Sequence, residues 1–138
     1  MGRPAILRLK ARHYEADAYG HVNHASYVHY LETARIEALE AIGLSLPEME
    51  RARYLIVVSE LSVKYHAAAQ AGDTLEIVTF VREVRGARSV WSQEIREASS
   101  RRLVVSAEVT AAFTTDGRPA RAPATFLEKL SALMAGAD

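Results

Sequence analysis

His24-Ala25-Ser26-Tyr27-Val28-His29-Tyr30-Leu31-Glu32-Thr33-Ala34-Arg35-Ile36-Glu37-Ala38-Leu39-Glu40-Ala41-Ile42 carries the strongest periodic signal in the chain. Tyr27, Leu31, Ala34, Ala38 and Ile42 step by four, three, four and four, which draws one apolar stripe along a helix of about five turns. Asn23 stands where an N-cap is wanted and Gly43 where a helix stops. Glu32, Arg35, Glu37 and Glu40 lie off the stripe, and Glu32 is expected either to pair with Arg35 or to face solvent.

Outward from this helix the pattern changes to period two. On the amino-terminal side Leu7, Leu9 and Ala11 alternate with Arg8, Lys10 and Arg12, predicting a strand that ends near His13. Residues 14–23 have no period and read as a loop feeding the helix. On the carboxyl-terminal side, after a connector containing Pro47, four strand-like runs are separated at Gly72-Asp73, Gly86 and Ser99-Ser100. Leu55, Val57, Leu61, Val63 and Tyr65 are assigned to one face of the first run. Leu75, Ile77 and Val81 share a face of the second, and Trp91 and Ile95 mark the third. In the fourth, Leu103, Val105, Ala107, Val109, Ala111 and Phe113 alternate with Val104, Ser106, Glu108, Thr110 and Ala112. The runs are expected to form an antiparallel meander. Phe126, Leu127, Leu130 and Leu133 predict a short closing helix.

The order β-α-β-β-β-β predicts an α+β fold in which a five-stranded antiparallel sheet covers its apolar face with one long helix. With 138 residues, 49% hydrophobic and 25% charged, the chain is expected to form one domain over 1–138. Such a sheet has edges to protect, and self-association is expected. Seventeen basic against seventeen acidic residues leave no net field for nucleic acid or an anionic membrane. No cysteine means no thiol nucleophile and no thiolate metal site. The first residues lack a signal-peptide core and no apolar run approaches a membrane span, so a cytoplasmic protein is expected.

Polar chemistry concentrates between His13 and Arg35, where four of the five histidines lie with Asp17, Asn23 and Glu32. Asp17 sits seven residues before His24, in the loop that enters the helix. A helix start offers unpaired N–H groups and positive potential, which polarise a carbonyl toward an oxyanion. A carboxylate beside that carbonyl can attack it or take a proton from an attacking water. The same aspartate can equally be a turn or capping residue. His24 can act through its side chain as a base, or only through its backbone N–H. A metal centre built from Asp17, His21, His24 and His29 conflicts with the spacing, because His24 and His29 are five apart and do not share a helical face. No cofactor motif of the dinucleotide or P-loop kind is present. Arg82, Arg85 and Arg88 cluster at the Gly86 turn and would suit phosphate if the ligand were an anionic carrier.

The segment from Tyr14 to Arg35, with Asp17, Gly20, Val22, Tyr27, Glu32 and Arg35 in that order, resembles the hotdog-fold acyl-CoA thioesterases of the 4-hydroxybenzoyl-CoA thioesterase type. Val63-Lys64-Tyr65, Gly72-Asp73, Gly117-Arg118-Pro119 and Pro123 extend the resemblance over nearly the whole chain. It implies a hotdog fold, with the sheet wrapped around the helix, and hydrolysis of acyl-CoA to CoA and a carboxylic acid without a cofactor. It implies that Asp17 is the catalytic carboxylate, that the His24 amide polarises the thioester carbonyl, and that the His24 side chain assists. It also implies a homodimer or homotetramer with sites at the subunit seam. Asn23, which with His21 stands where other members carry small or apolar residues, and Tyr27 are then read as substrate-binding. Ser59 and Glu60 are read as contributed across the seam, and Arg82, Arg85 and Arg88 as meeting the CoA phosphates. Two rival classes are an enoyl-thioester hydratase, whose Asp-x-Asn-Pro-x-x-x-His pattern this sequence lacks, and a non-catalytic acyl-CoA-binding module.

Overall fold

A computed structural model of the chain describes residues 2–134. The elements in order are β1 (Ala5–Lys10), α1 (His24–Ala41), α2 (Leu46–Arg51), β2 (Leu55–Tyr65), β3 (Thr74–Arg85), β4 (Arg88–Glu97), β5 (Leu103–Thr115), β6 (Arg118–Pro119) and α3 (Ala124–Leu130). The long helix starts and stops where its caps predict. Asn23 Oδ1 accepts from the Ala25 amide at 2.9 Å, and Gly43 takes a φ of 84° that a side chain would oppose. Tyr27, Leu31, Ala34 and Ala38 are buried, as the stripe requires. Glu32 faces solvent and forms no ion pair with Arg35.

One antiparallel sheet runs in the order β1-β3-β4-β5-β2, with the two-residue β6 paired only to the end of β5. It wraps α1 as a hotdog fold does. The expected meander holds for β3-β4-β5 but not for β2, which skips β3 and pairs with β5, while β1 takes the place beside β3. The residues between β2 and β3 therefore cross the end of the sheet instead of forming a hairpin. Three local expectations are also corrected. The first strand ends at Lys10, because Ala11 is held by Asp73 and Gly72 and the chain then turns through a single 3-10 turn over His13–Glu15. The connector containing Pro47 is the helix α2, capped by Ser45 with the proline in its first turn. The third concerns the faces of β2. A bulge at Ser59 puts Val58 opposite Ala111 but Glu60 opposite Thr110, so Ile56 and Val58 join Leu61, Val63 and Tyr65 on the inner face. Leu55 and Val57 face out.

Two buried clusters fill the space under the helix. Tyr27, Tyr30, Leu31 and Ala34 pack on Leu75, Ile77, Ile95 and Val105 near its start. Ala38 and Leu39 join Trp91, Val109, Phe113, Phe126 and Leu130 near its end, where α3 closes the sandwich. On the outer face Glu76 is buried between Arg8 and Arg101, each at 2.6 Å. Arg8 chiefly, and then Arg101, hold its carboxyl below the ordinary value of 4.5. At the β4–β5 turn Glu97 accepts from Ser100 and Ser99, and these bonds, Ser100's foremost, push its pKa down to about 2. Both groups titrate lower in the folded than in the unfolded chain, so their stabilisation is complete above about 4.5 and is lost as the pH falls below it, for Glu97 on the way to about 2. The melting temperature is expected to decline through that window, and more shallowly in Glu97→Gln; a variant curve parallel to that of the parent would show that the turn bonds do not matter. Among the described residues, no helix is long and apolar enough to cross a membrane.

Candidate active site

The loop before α1 is a tight turn pinned at both ends. The Asp17 amide donates to the His21 carbonyl at 2.7 Å, Gly20 N–H returns to the Asp17 carbonyl at 3.1 Å, and Ala16 bridges Val22. Gly20 takes φ 79°, the left-handed conformation that closes such a turn. Asp17 Oδ1 accepts from Tyr19 N–H at 2.8 Å and His21 N–H at 3.2 Å, while Oδ2 has no bond among the described residues. The turn thus occupies one oxygen of the carboxylate and not the other.

The turn is fastened to α1 through Glu15. Its carbonyl accepts from Asn23 N–H at 2.8 Å and Ser26 Oγ at 3.4 Å, and its carboxylate from the Tyr30 hydroxyl at 2.7 Å. Burial first, then that carboxylate, pushes the Tyr30 phenol well above its usual range, so it stays a donor. On the other side Val22 N–H donates to the Ala69 carbonyl and His21 bridges Gln70. At the helix start Asn23 takes the Ala25 amide on its side chain and the Ser26 amide on its carbonyl. The His24 amide is left without a bond among the described residues, with the helix dipole behind it.

Asp17, His21, Val22, His24, Tyr27, Tyr65, His66, Ala67 and Ala68 line an open cleft of about 370 Å³. Asp17, His24 and Tyr27 are therefore brought together. Asn23 lies behind them as the helix cap. Tyr27 is buried and its hydroxyl accepts from Ala69 N–H at 3.0 Å, so it builds the wall with its ring. Sequence reasoning missed Tyr65 and His66 as cleft residues. Tyr65 donates to the His24 carbonyl at 2.9 Å and its ring meets that of Tyr27 at 5.7 Å, while His66 Nε2 contacts Ser106 Oγ at 2.8 Å. Only the crossing of the β2–β3 connection brings them here, and no local motif announces it.

Ser59 and Glu60 are not in this cleft. They lie on exposed β2, about 17–20 Å along the strand from Tyr65. Arg82, Arg85 and Arg88 sit around the β3–β4 hairpin, at the opposite end of β3 from the cleft. Arg82 pairs with Glu108, and Arg88 with Glu83 at 3.5 Å. Among the described residues no three His, Asp or Glu side chains converge as metal ligands.

Residues 11–130 match the thioesterase-like superfamily. The chain belongs to this superfamily. It is 38% identical over 106 residues to the acyl-CoA thioester hydrolase YbgC of Escherichia coli, covering 75% of this chain and 78% of that one. It is 29% identical over 124 residues to the chloroplastic acyl-acyl carrier protein thioesterase ATL3 of Arabidopsis thaliana, covering 89% of this chain. The matched region spans just under two thirds of the Arabidopsis relatives, 65% of ATL3 and 63% of ATL2. The solved structure of Slr0204, a 1,4-dihydroxy-2-naphthoyl-CoA thioesterase from Synechocystis, superposes with a TM-score of 0.86 over 94% of this chain and 97% of its own at 18% identity. At that identity the likeness speaks for the shared hotdog fold of this thioesterase-like chain.

Proposed function

We propose that this member of the thioesterase-like superfamily hydrolyses acyl-CoA thioesters to CoA and a carboxylic acid. The observation that carries the reading is the pairing in one cleft of the Asp17 carboxylate with the helix-start amide of His24, the carboxylate's Oδ2 and the amide both without a bond among the described residues. The thioester carbonyl accepts from the His24 amide, whose potential favours the oxyanion. Asp17 Oδ2 takes the proton of the attacking water, or itself attacks and is released by water in a second step. Collapse of the tetrahedral intermediate expels the CoA thiolate, which leaves as the thiol, and yields the acid. The His24 imidazole, exposed at the mouth, steers the water. No cofactor takes part.

The chain works as a homo-oligomer in the cytoplasm. Among the described residues β2 has no partner along its outer edge, and it exposes Leu55, Val57, Val58 and Leu61, an edge that monomeric sheets protect. Antiparallel pairing of two β2 edges across a two-fold axis would set the start of one strand beside the end of the other. The partner's hairpin end would then approach this chain's cleft, and Ser59 and Glu60 would lie at the seam. In that arrangement Arg85 and Arg88 meet the CoA phosphates outside the cleft.

The test is release of free thiol from a panel of short, long and aromatic acyl-CoAs. Thiol release, with a KM that rises several-fold on Arg85→Ala/Arg88→Ala for acyl-CoA but not for the matching acyl-N-acetylcysteamine, is expected. Tight acyl-CoA binding with no thiol would favour a binding module. Hydration of crotonyl-CoA without CoA release would favour a hydratase.

A further inference from the structure

A polar side chain on a central strand, facing the apolar side of its own helix, requires an explanation. Gln93 of β4 is 1% exposed and all its hydrogen-bonding capacity on nitrogen is used: Nε2 donates to the Leu31 carbonyl at 3.0 Å and to Thr79 Oγ1 at 2.9 Å. With the amide so oriented, Oε1 points to Arg35 and accepts from Nη1 at 3.0 Å. Arg35 is half-buried, and burial lowers its pKa, although a guanidinium remains a cation there. The contrast with Glu76 is informative. That buried carboxylate has two arginines, whereas among the described residues no carboxylate lies within 4 Å of Arg35. Glu32, three residues earlier, acts on it only through its field and stays exposed.

The surroundings of this cation are apolar and open. α1 packs chiefly on β1 and β3; the inner face of β5 is buried, and that of β2 beside it is thinly covered. There Val58, Leu61 and Tyr65 remain 44%, 41% and 49% exposed although they point toward the core side of the sheet. Thr79, Gln93, Ala107 and Val63 stand in one row across β3, β4, β5 and β2, with the small Ala107 between Gln93 and the half-buried Val63. The groove begins at Tyr65, on the wall of the cleft. A helical side chain leans toward the amino end, and Leu31 lies seven residues after His24, about 10 Å along the axis. The guanidinium therefore stands about 10 Å beyond the amide that would hold the thioester carbonyl.

We propose that Arg35, held by Gln93, selects acyl groups whose far end carries a carboxylate. This specificity rests on the thioesterase reading above. The spare N–H groups of the guanidinium fork match a carboxylate in two parallel bonds, and methylene groups between carbonyl and carboxylate would line the Val63–Leu61 side of the groove. Allowing about 3 Å for the terminal hydrogen bond, the remaining span fits a six-carbon dicarboxylic acyl group.

Adipoyl-CoA and hexanoyl-CoA differ only at that end. Thiol release from the two by the intact protein is expected to favour adipoyl-CoA by at least about tenfold in kcat/KM, and Arg35→Met to reduce that ratio to about one or below. Arg35→Lys, which keeps the charge but loses the fork, is expected between the two. The wild-type ratio is a test even if a variant folds poorly. Hydrolysis of hexanoyl-CoA as fast as adipoyl-CoA, or a ratio unmoved in a folded Arg35→Met, overturns the selector and leaves the thioesterase standing. Absence of thiol from these two and from every other acyl-CoA overturns both.

Discussion

Asp17→Asn is expected to lower kcat by about a thousandfold, the scale on which a positioned base or carboxylate nucleophile contributes. The fold should hardly change. Oδ1 of Asp17 serves the turn, accepting from the Tyr19 and His21 amides, and an asparagine carbonyl can accept the same two bonds. Only Oδ2, which has no bond among the described residues, changes its chemistry. The variant should therefore melt close to the parent and bind acyl-CoA with similar affinity while releasing almost no thiol. Parent-like kcat would remove Asp17 from the mechanism, and a large loss of melting temperature would mean that the turn, not the chemistry, depends on its charge. Label found in the side chain of residue 17 after a single turnover in ¹⁸O water would establish direct attack, because only an anhydride opened by water at the aspartyl carbon places it there.

The second large effect lies at the other end of the helix. Trp91→Ala is expected to cost about 3–5 kcal/mol, and with it roughly 10–20 °C of melting temperature. The indole is 1% exposed within the cluster of Ala38, Leu39, Val109, Phe113 and Phe126, and its Nε1 donates to Ser89 Oγ at 3.0 Å. Truncation opens a cavity and leaves that hydroxyl without its donor. Because it is the only tryptophan, unfolding must be followed by circular dichroism. The part that remains folded at low temperature should keep its KM, since the cleft is built on the other cluster. A loss below 1 kcal/mol would mean that the sheet and α3 close over the gap.

Much of this architecture was legible in the sequence because it is local. The helix declared itself through Asn23, the stripe from Tyr27 to Ala38 and Gly43, each acting within a few residues. Asp17 and His24 share the cleft for the same reason, lying seven residues apart in the short loop that enters the helix. The strand order was not. Periodicity shows that residues 55–65 form a strand but not whether β3 or β5 pairs with it, and the choice of β5 depends on long-range burial. Tyr65 and His66 reach the cleft only through that choice. The alternation in β2 was misread because a bulge inserts one residue that obeys neither face. Arg82 and Arg88 looked like a free basic cluster, yet Glu108 comes from a distant strand and Glu83 from across the hairpin.

That bulge gives β2 an unusual relation between length and aim. Removing Ser59 would leave Leu61, Val63 and Tyr65 opposite Val109, Ala107 and Val105, the partners they already have, because Ser59 is the residue with none. Removing Ser62 would do the opposite, shifting every later side chain to the other face and swinging Tyr65 away from the His24 carbonyl. Ser59 is thus a slack link, the place where the chain can be shortened by one residue without re-aiming the wall of the cleft. Single-residue deletions scanned along β2 should be tolerated at that position and abolish the site on its carboxyl-terminal side.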